Sequence, residues 1–195
     1  TQLFQGGAVT LSNPTARYVP LGNTNNAFLT ATETIVGWLN QGEGFTLTDL
    51  QIYVTSNTRT SGTAEVRIRK NTTDGNNVCE IPFGVTGFFH DSTSSDTFVN
   101  LDTPSIIFRY GTGGTGAFTV NTISTVIDTT SANTRNRFVS YPNSNMGNST
   151  TYTQIVDDSL SFQSTEANAQ TKVACSGTVS NLYCNVVANS RDGNS

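Results

Sequence analysis

The chain has one histidine, and that scarcity excludes several chemistries at once. A zinc site with two or more imidazole ligands cannot be built, nor can the two-histidine helix of a metalloprotease. Any Ser-His-Asp triad would have to use His90, beside Asp91. No GxSxG elbow is present, and His90 lies in the apolar run FFHD, so a structural histidine is the expected reading. Charge is scarce too: Asp, Glu, Lys and Arg make up 12% of the chain, against about 25% in an average soluble protein. Lys and Arg number 10 against 14 Asp and Glu, for a net charge of −4. That balance argues against broad binding to nucleic acid or to an anionic membrane surface. There is no run of about 20 apolar residues, so no membrane-spanning helix is expected. A convincing helix is missing altogether; residues 35–39 come nearest, and Gly37 weakens them. The chain opens on Thr1 without a visible signal peptide, so a processed chain or a piece of a longer one is expected.

Cysteine is rare and odd in number: Cys79, Cys175 and Cys184. At least one thiol is unpaired within the chain. A Cys175–Cys184 bridge across a local turn is one reading, and two free, apolar thiols the other.

Polarity is carried by Thr, Ser, Asn and Gly, residues that suit strands and turns. This composition reads as that of an extracellular or virion protein. The most patterned stretch is residues 45–70, FTLTDLQIYVTSNTRTSGTAEVRIRK. Leu50, Ile52 and Val54 alternate with Gln51, Tyr53 and Thr55; Ala64, Val66 and Ile68 alternate with Glu65, Arg67 and Arg69. Alternate side chains of a strand face opposite ways, so each strand offers one apolar and one wet face. The first half of the stretch recurs near the end. Setting Val179 on Leu47 brings Asn181 onto Asp49, Leu182 onto Leu50, Cys184 onto Ile52 and Val186 onto Val54. Asn189 then falls on Asn57 and Arg191 on Arg59. The match sets Cys184 on a core-facing position, which speaks for a free thiol there.

Taken in order, residues 1–15 form an N-terminal arm or edge strand. Its Leu3, Phe4, Val9 and Leu11 either complete the chain's own sheet or pair with a neighbouring subunit. Strands are expected at residues 17–20, 28–38, 45–56, 63–70, 78–81, 87–91, 98–101, 105–110 and 117–127. Asp74-Gly75 within residues 72–77 predicts a type I′ hairpin turn. The pattern predicts an all-β, antiparallel β-sandwich of jelly-roll type over residues 16–128. Residues 129–135 read as a linker. Residues 136–195 read as a second, incomplete copy, starting at RFVSY, which echoes RYVPL at residues 17–21. Half a sandwich exposes its apolar face. Its completion by more chain, by a neighbouring subunit, or by packing on the first unit are all open.

No catalytic, cofactor or metal residue is assigned. The Gly-rich residues 111–116 lack a GKS or GKT ending and a βαβ context, so they read as a strand connection. Asp74 and the pair Asp157 and Asp158 lack the spacing of a calcium loop. Trp38, Tyr53, Tyr141, Tyr152 and Tyr183 are candidates for a sugar platform, with core or interface packing as the competing reading. Asn71 and Asn148 stand in the N-glycosylation acceptor pattern.

The run TLTDLQIYV, the loop TSNTRTSG, the strand AEVRIRKN followed by TTDG, and the later IIFRYGTGGTGAF resemble one unit of the tandem jelly-roll domains of phage and other virion surface proteins. Similar units occur in secreted bacterial filament and surface proteins. The resemblance covers residues 16–128, and residues 136–195 as a first half. It departs where Asn71 is followed by Thr72 instead of Gly. It implies a structural, non-enzymatic role without catalytic residues. The expected function is a subunit of an extracellular assembly, a virion fibre or capsid decoration, with copies of itself or other subunits as partners. A secreted filament subunit using donor-strand exchange is the second reading, and a carbohydrate-binding module, with surface glycans as partners, the third.

Overall fold

The computed structural model describes residues 2–12, 15–21, 29–36 and 44–129. They form eight strands: β1 (Gln2–Leu11), β2 (Arg17–Pro20), β3 (Phe45–Asn57), β4 (Thr63–Lys70), β5 (Thr73–Pro82), β6 (Gly87–Phe98), β7 (Pro104–Arg109) and β8 (Phe118–Thr129). Two four-stranded sheets result, ordered β1-β8-β3-β6 and β2-β7-β4-β5. Every pairing is antiparallel. The pairs nest: β4 lies beside β5, β3 beside β6, β2 beside β7 and β1 beside β8. The described residues make a β-sandwich whose sheets face one another across an apolar core. Strand β1 belongs to the same sandwich as residues 16–128. The linker after Thr129 and the second copy over residues 136–195 lie outside the described residues.

The alternation in β3 and β4 does what the sequence requires. Leu50, Ile52 and Val54 on β3 and Ala64, Val66 and Ile68 on β4 are buried. They meet Ile81 and Cys79 of β5, Ile106 and Phe108 of β7, and Phe118, Val120 and Ile123 of β8 in one cluster. Full burial of each Leu, Ile, Val or Phe side chain stabilises the fold by about 1.5–3 kcal/mol. Phe45 and Phe98 stack within it at 4.9 Å between ring centroids.

Strand β3 carries a change of phase. Phe45 and Leu47 point inward on odd positions, Leu50, Ile52 and Val54 on even ones. One extra residue has to be absorbed between them, and Asp49 absorbs it as a bulge. Its φ is +58°, and against β8 the pairs Thr48–Val126 and Gln51–Ser124 leave two β3 residues facing one of β8. Asp tolerates this left-handed conformation better than most residues.

Three expected elements differ. The hairpin turn between β4 and β5 is Asn71-Thr72, with φ of +51° and +66°, flanked by the pair Lys70 and Thr73. Asp74 and Gly75 are strand residues instead. Asn71 is held from both sides: its Nδ2 donates to Asp102 at 2.6 Å, and its Oδ1 accepts from the Thr103 N–H at 2.7 Å. Asp74 is drawn into the strand by Arg69 and Arg109. Gly75 is required because an added Cβ would lie 2.6 Å from the Asp96 carboxylate oxygens. Of residues 28–38, the described stretch 29–36 does not make a long strand. Thr30 forms a single bridge to Tyr18, and Glu33–Ile35 is one 3-10 turn. Residues 87–91 and 98–101 are not two strands; β6 spans Gly87–Phe98, its pairing with β3 skipping Ser92, Thr93 and Ser94, and residues beyond Phe98 turn, with Leu101 at φ +73°.

The 3-10 turn lies over the outward face of β4 and β7. Glu33 makes a two-pronged pair with Arg69, at 2.8 and 2.9 Å, and accepts from the Ser105 hydroxyl at 2.6 Å. Ile107, although on that outward face, is fully buried. From Arg69 the ion pairs continue through Asp74 to Arg109, on to Glu65 and to Arg67. Three guanidinium groups and three carboxylates thus balance across the outside of the sheet.

Candidate functional site

Two four-stranded sheets have four edge strands among the described residues, and an unpaired edge is a template for another strand. Here they are β1 and β6 of one sheet, and β2 and β5 of the other. The edges are treated differently.

β5 and β6 run along the same side of the sandwich, and side chains of β6 close the gap. Asp96 accepts from the backbone N–H groups of Asn76 at 2.7 Å and Asn77 at 3.0 Å, and from Asn77 Nδ2 at 2.8 Å. The same Nδ2 reaches the Leu47 carbonyl at 3.1 Å, tying β5 to β3. Asp91 accepts from the Val78 N–H at 3.0 Å and from the N–H groups of Thr93 and Ser94, each at 3.1 Å. Burial would push the Asp91 carboxyl up. The bonds donated by Val78, Ser94 and Thr93 outweigh that and take it down to about 2. Carboxylates therefore occupy the β5 amides that another strand would need.

On the opposite side, β2 is bridged by Thr30, with bonds of 2.8 and 3.1 Å to Tyr18. β1 pairs, among the described residues, with β8 alone, across ten residues interrupted by an irregularity between Gly6 and Val9. The residues read as an arm or edge strand fall here. Leu3 stands opposite Thr125 and Phe4 opposite Ser124, while Val9 and Leu11 are buried in the chain's own core. The Val9 and Leu11 side chains are used within the fold, and among the described residues β1 has no strand neighbour other than β8.

The other sequence candidates distribute as follows. Asn71 is exposed and braces the β4–β5 turn. Cys79 is a free, buried thiol, donating to the Leu50 carbonyl at 3.3 Å, and burial pushes it up to about 12. Cys175, Cys184, Asn148, Trp38, Tyr141, Tyr152, Tyr183, Asp157 and Asp158 lie outside the described residues. The Gly-rich loop straps onto residues 58–60: Thr58 N–H donates to Ala117 O at 2.8 Å, and Thr60 N–H to Thr115 O at 3.1 Å. Beneath it Arg59, 2% exposed, stacks 4.9 Å from the Tyr110 ring centroid and donates to the Ile81 and Ser61 carbonyls. This is a sealed sandwich end, with its carbonyls and glycines committed to packing.

His90 pairs with Asp49, a residue 41 positions away that the bulge presents to it. Gln51 Nε2 donates to the other Asp49 oxygen at 2.9 Å. Gln51 stands directly opposite His90, and Tyr53 opposite Phe88, on adjacent β3 and β6. The Tyr53 and Phe88 rings lie 4.8 Å apart at 47°. Of the aromatic candidates in the sequence, Tyr53 falls on this face; its partner Phe88 is not among them, and the alternation of Phe88 with His90 is the signal that marks it as outward.

Among the described residues no group of three or more His, Cys, Asp or Glu side chains is gathered as for a metal ion. None of their helices is long and apolar enough to cross a membrane. Compared with known proteins, the chain matches no family model, no curated protein and no solved structure.

Proposed function

We propose that this chain is a non-enzymatic structural subunit of an extracellular assembly, a virion fibre or capsid decoration protein, joined to its neighbours by strand addition along β1. The observation that supports the reading is the unequal treatment of edges: β5 amides are taken by Asp91 and Asp96, and β2 is bridged by Thr30, whereas among the described residues β1 has a strand neighbour on one side only. Backbone pairing there would satisfy groups that water otherwise serves. A secreted filament subunit would use the same edge.

The finer description of the fold is a jelly roll. Its support is the nesting of β1 with β8, β2 with β7, β3 with β6 and β4 with β5, which a long hairpin folded over itself produces. The second copy over residues 136–195 draws support from burial. Leu47, Leu50, Ile52, Val54, Asn57 and Arg59 are buried in the first unit, and the remaining matched position, Asp49, is half-buried. The virion setting rests on resemblance and fold-level analogy.

Light scattering and electron microscopy of the whole chain test the reading. Ordered oligomers or fibres are expected. Ala8→Lys, at an exposed position of β1, places a charge on the edge without touching the core and should cut the assembled fraction severely. A monomer at every concentration, or assembly indifferent to Ala8→Lys, would overturn strand addition at β1.

A further inference from the structure

We propose that the outer face of β3 and β6, at Tyr53, Phe88, Gln51 and His90, binds a neutral oligosaccharide, with the paired rings as its stacking platform.

The outward positions of β6 read Phe88, His90, Ser92, Ser95 and Thr97. All but one are polar, as a wet sheet face requires. Phe88 is the exception, 78% exposed, and the most exposed large apolar side chain described. It is not isolated. Tyr53, opposite it, widens the surface to two contiguous rings. The next pair along the same strands supplies planar polar groups. Asp49 orients both, accepting from Gln51 Nε2 at 2.9 Å and pairing with His90 Nε2. Among the described residues, Gln51 Oε1 and His90 Nδ1 carry no hydrogen bond, and both residues lie on the outward face that carries the rings. Successive outward residues of a strand are about 7 Å apart. A pyranose stacked on one ring pair therefore brings its hydroxyls level with the polar pair.

The chemistry selects among occupants. A protein partner needs a patch of about 800 Å² on each side; here two rings are bordered by Gln51, His90 and, across β8, Thr122. A sugar ring presents C–H groups on one face and hydroxyls at its rim, which matches rings flanked by donors and acceptors. Asp49 and the net charge of −4 disfavour sialylated or sulfated glycans.

The test is an NMR titration of the whole chain with separate neutral oligosaccharides of glucose, xylose, mannose and N-acetylglucosamine, plus a sialylated one. At least one neutral probe should bind, with shifts concentrated at Gln51, Tyr53, Phe88 and His90. Phe88→Ala should weaken that binding about tenfold or more, and Phe88→Trp should retain it. Both variants should melt like the parent, because the side chain is exposed. The proposal is overturned if no neutral probe binds at about 10 mM, if shifts map elsewhere, or if Phe88→Ala binds as well as the parent. Preference for the sialylated probe would also overturn it. So would self-association that Phe88→Ala abolishes without any sugar binding, which would make the face a protein interface. The outcome is independent of the β1 assembly test, since Ala8 lies on another strand.

Discussion

Replacing Asp96 by alanine should be among the most costly single changes in this fold. Its carboxylate is nearly buried and receives three hydrogen bonds, of 2.7, 3.0 and 2.8 Å, from Asn76 and Asn77. Asn77 is fully buried, so its N–H cannot turn to water when the acceptor goes. A buried donor left without a partner costs about 1–3 kcal/mol. Asn77 Nδ2 keeps the Leu47 carbonyl, and the part-buried Asn76 N–H recovers some hydration, so their losses are smaller. The sum is about 3–4 kcal/mol, a large share of the 5–15 kcal/mol that typically stabilises a domain. Asp96→Asn keeps the shape and one acceptor oxygen and should cost about half as much. Asp128→Ala, at an exposed carboxylate, should stay within about 0.5 kcal/mol. Urea unfolding followed by circular dichroism gives the midpoints, and amide hydrogen exchange reads Asn76 and Asn77 directly. A cost below about 1 kcal/mol for Asp96→Ala, or undiminished protection of both amides, would refute the view that this carboxylate seals the seam.

Three further outcomes follow from the same geometry. Asp91 titrates lower in the folded than in the unfolded chain. Its stabilisation is therefore complete above pH ~4 and is lost as pH falls through about 2. The loss is about 1 kcal/mol after allowing for solvent screening, and comparing acid melts of Asp91→Asn with the parent isolates it. Gly75→Ala should destabilise by about 1–3 kcal/mol, because its Cβ meets the Asp96 carboxylate; an unchanged urea midpoint would contradict that contact. Cys79, buried and pushed up to about 12, should resist alkylation in the native chain and react on unfolding, as peptide mapping by mass spectrometry will show.

What could be read in the sequence was local and periodic. The β3 and β4 alternation led directly to the buried faces, because half-wet strands carry their own label. The phase change from Leu47 to Leu50 was equally visible and implies the bulge at Asp49. The turn was misplaced because Asp74-Gly75 is the stronger local signal, while the pairing of Asp74 with Arg109, 35 residues on, outweighs it. The Ser/Thr run of β6 lacks an apolar face of its own; Ser92, Thr93 and Ser94 stand opposite no residue of β3, and the strand is held by the pairs on either side, Asp91 with Leu50 and Ser95 with Thr48. The candidate face was half visible: Tyr53 stood out, but its meeting with Phe88 and that of Asp49 with His90 are set by register between distant strands.

The bulge also fixes which edits the surface can tolerate. Tyr53 points outward only because β3 spends one extra residue at Asp49 against β8. Deleting Asp49 would exchange inside for outside along one half of the strand, sending either Leu47 or Ile52 to water and drawing an outward neighbour into the core. Substitutions can therefore vary the outer face freely, whereas a one-residue length change at this point cannot be absorbed. The recurrence keeps that arithmetic: Val179 and Leu182 preserve the spacing of Leu47 and Leu50, and Asn181, another residue at ease with positive φ, stands where Asp49 does.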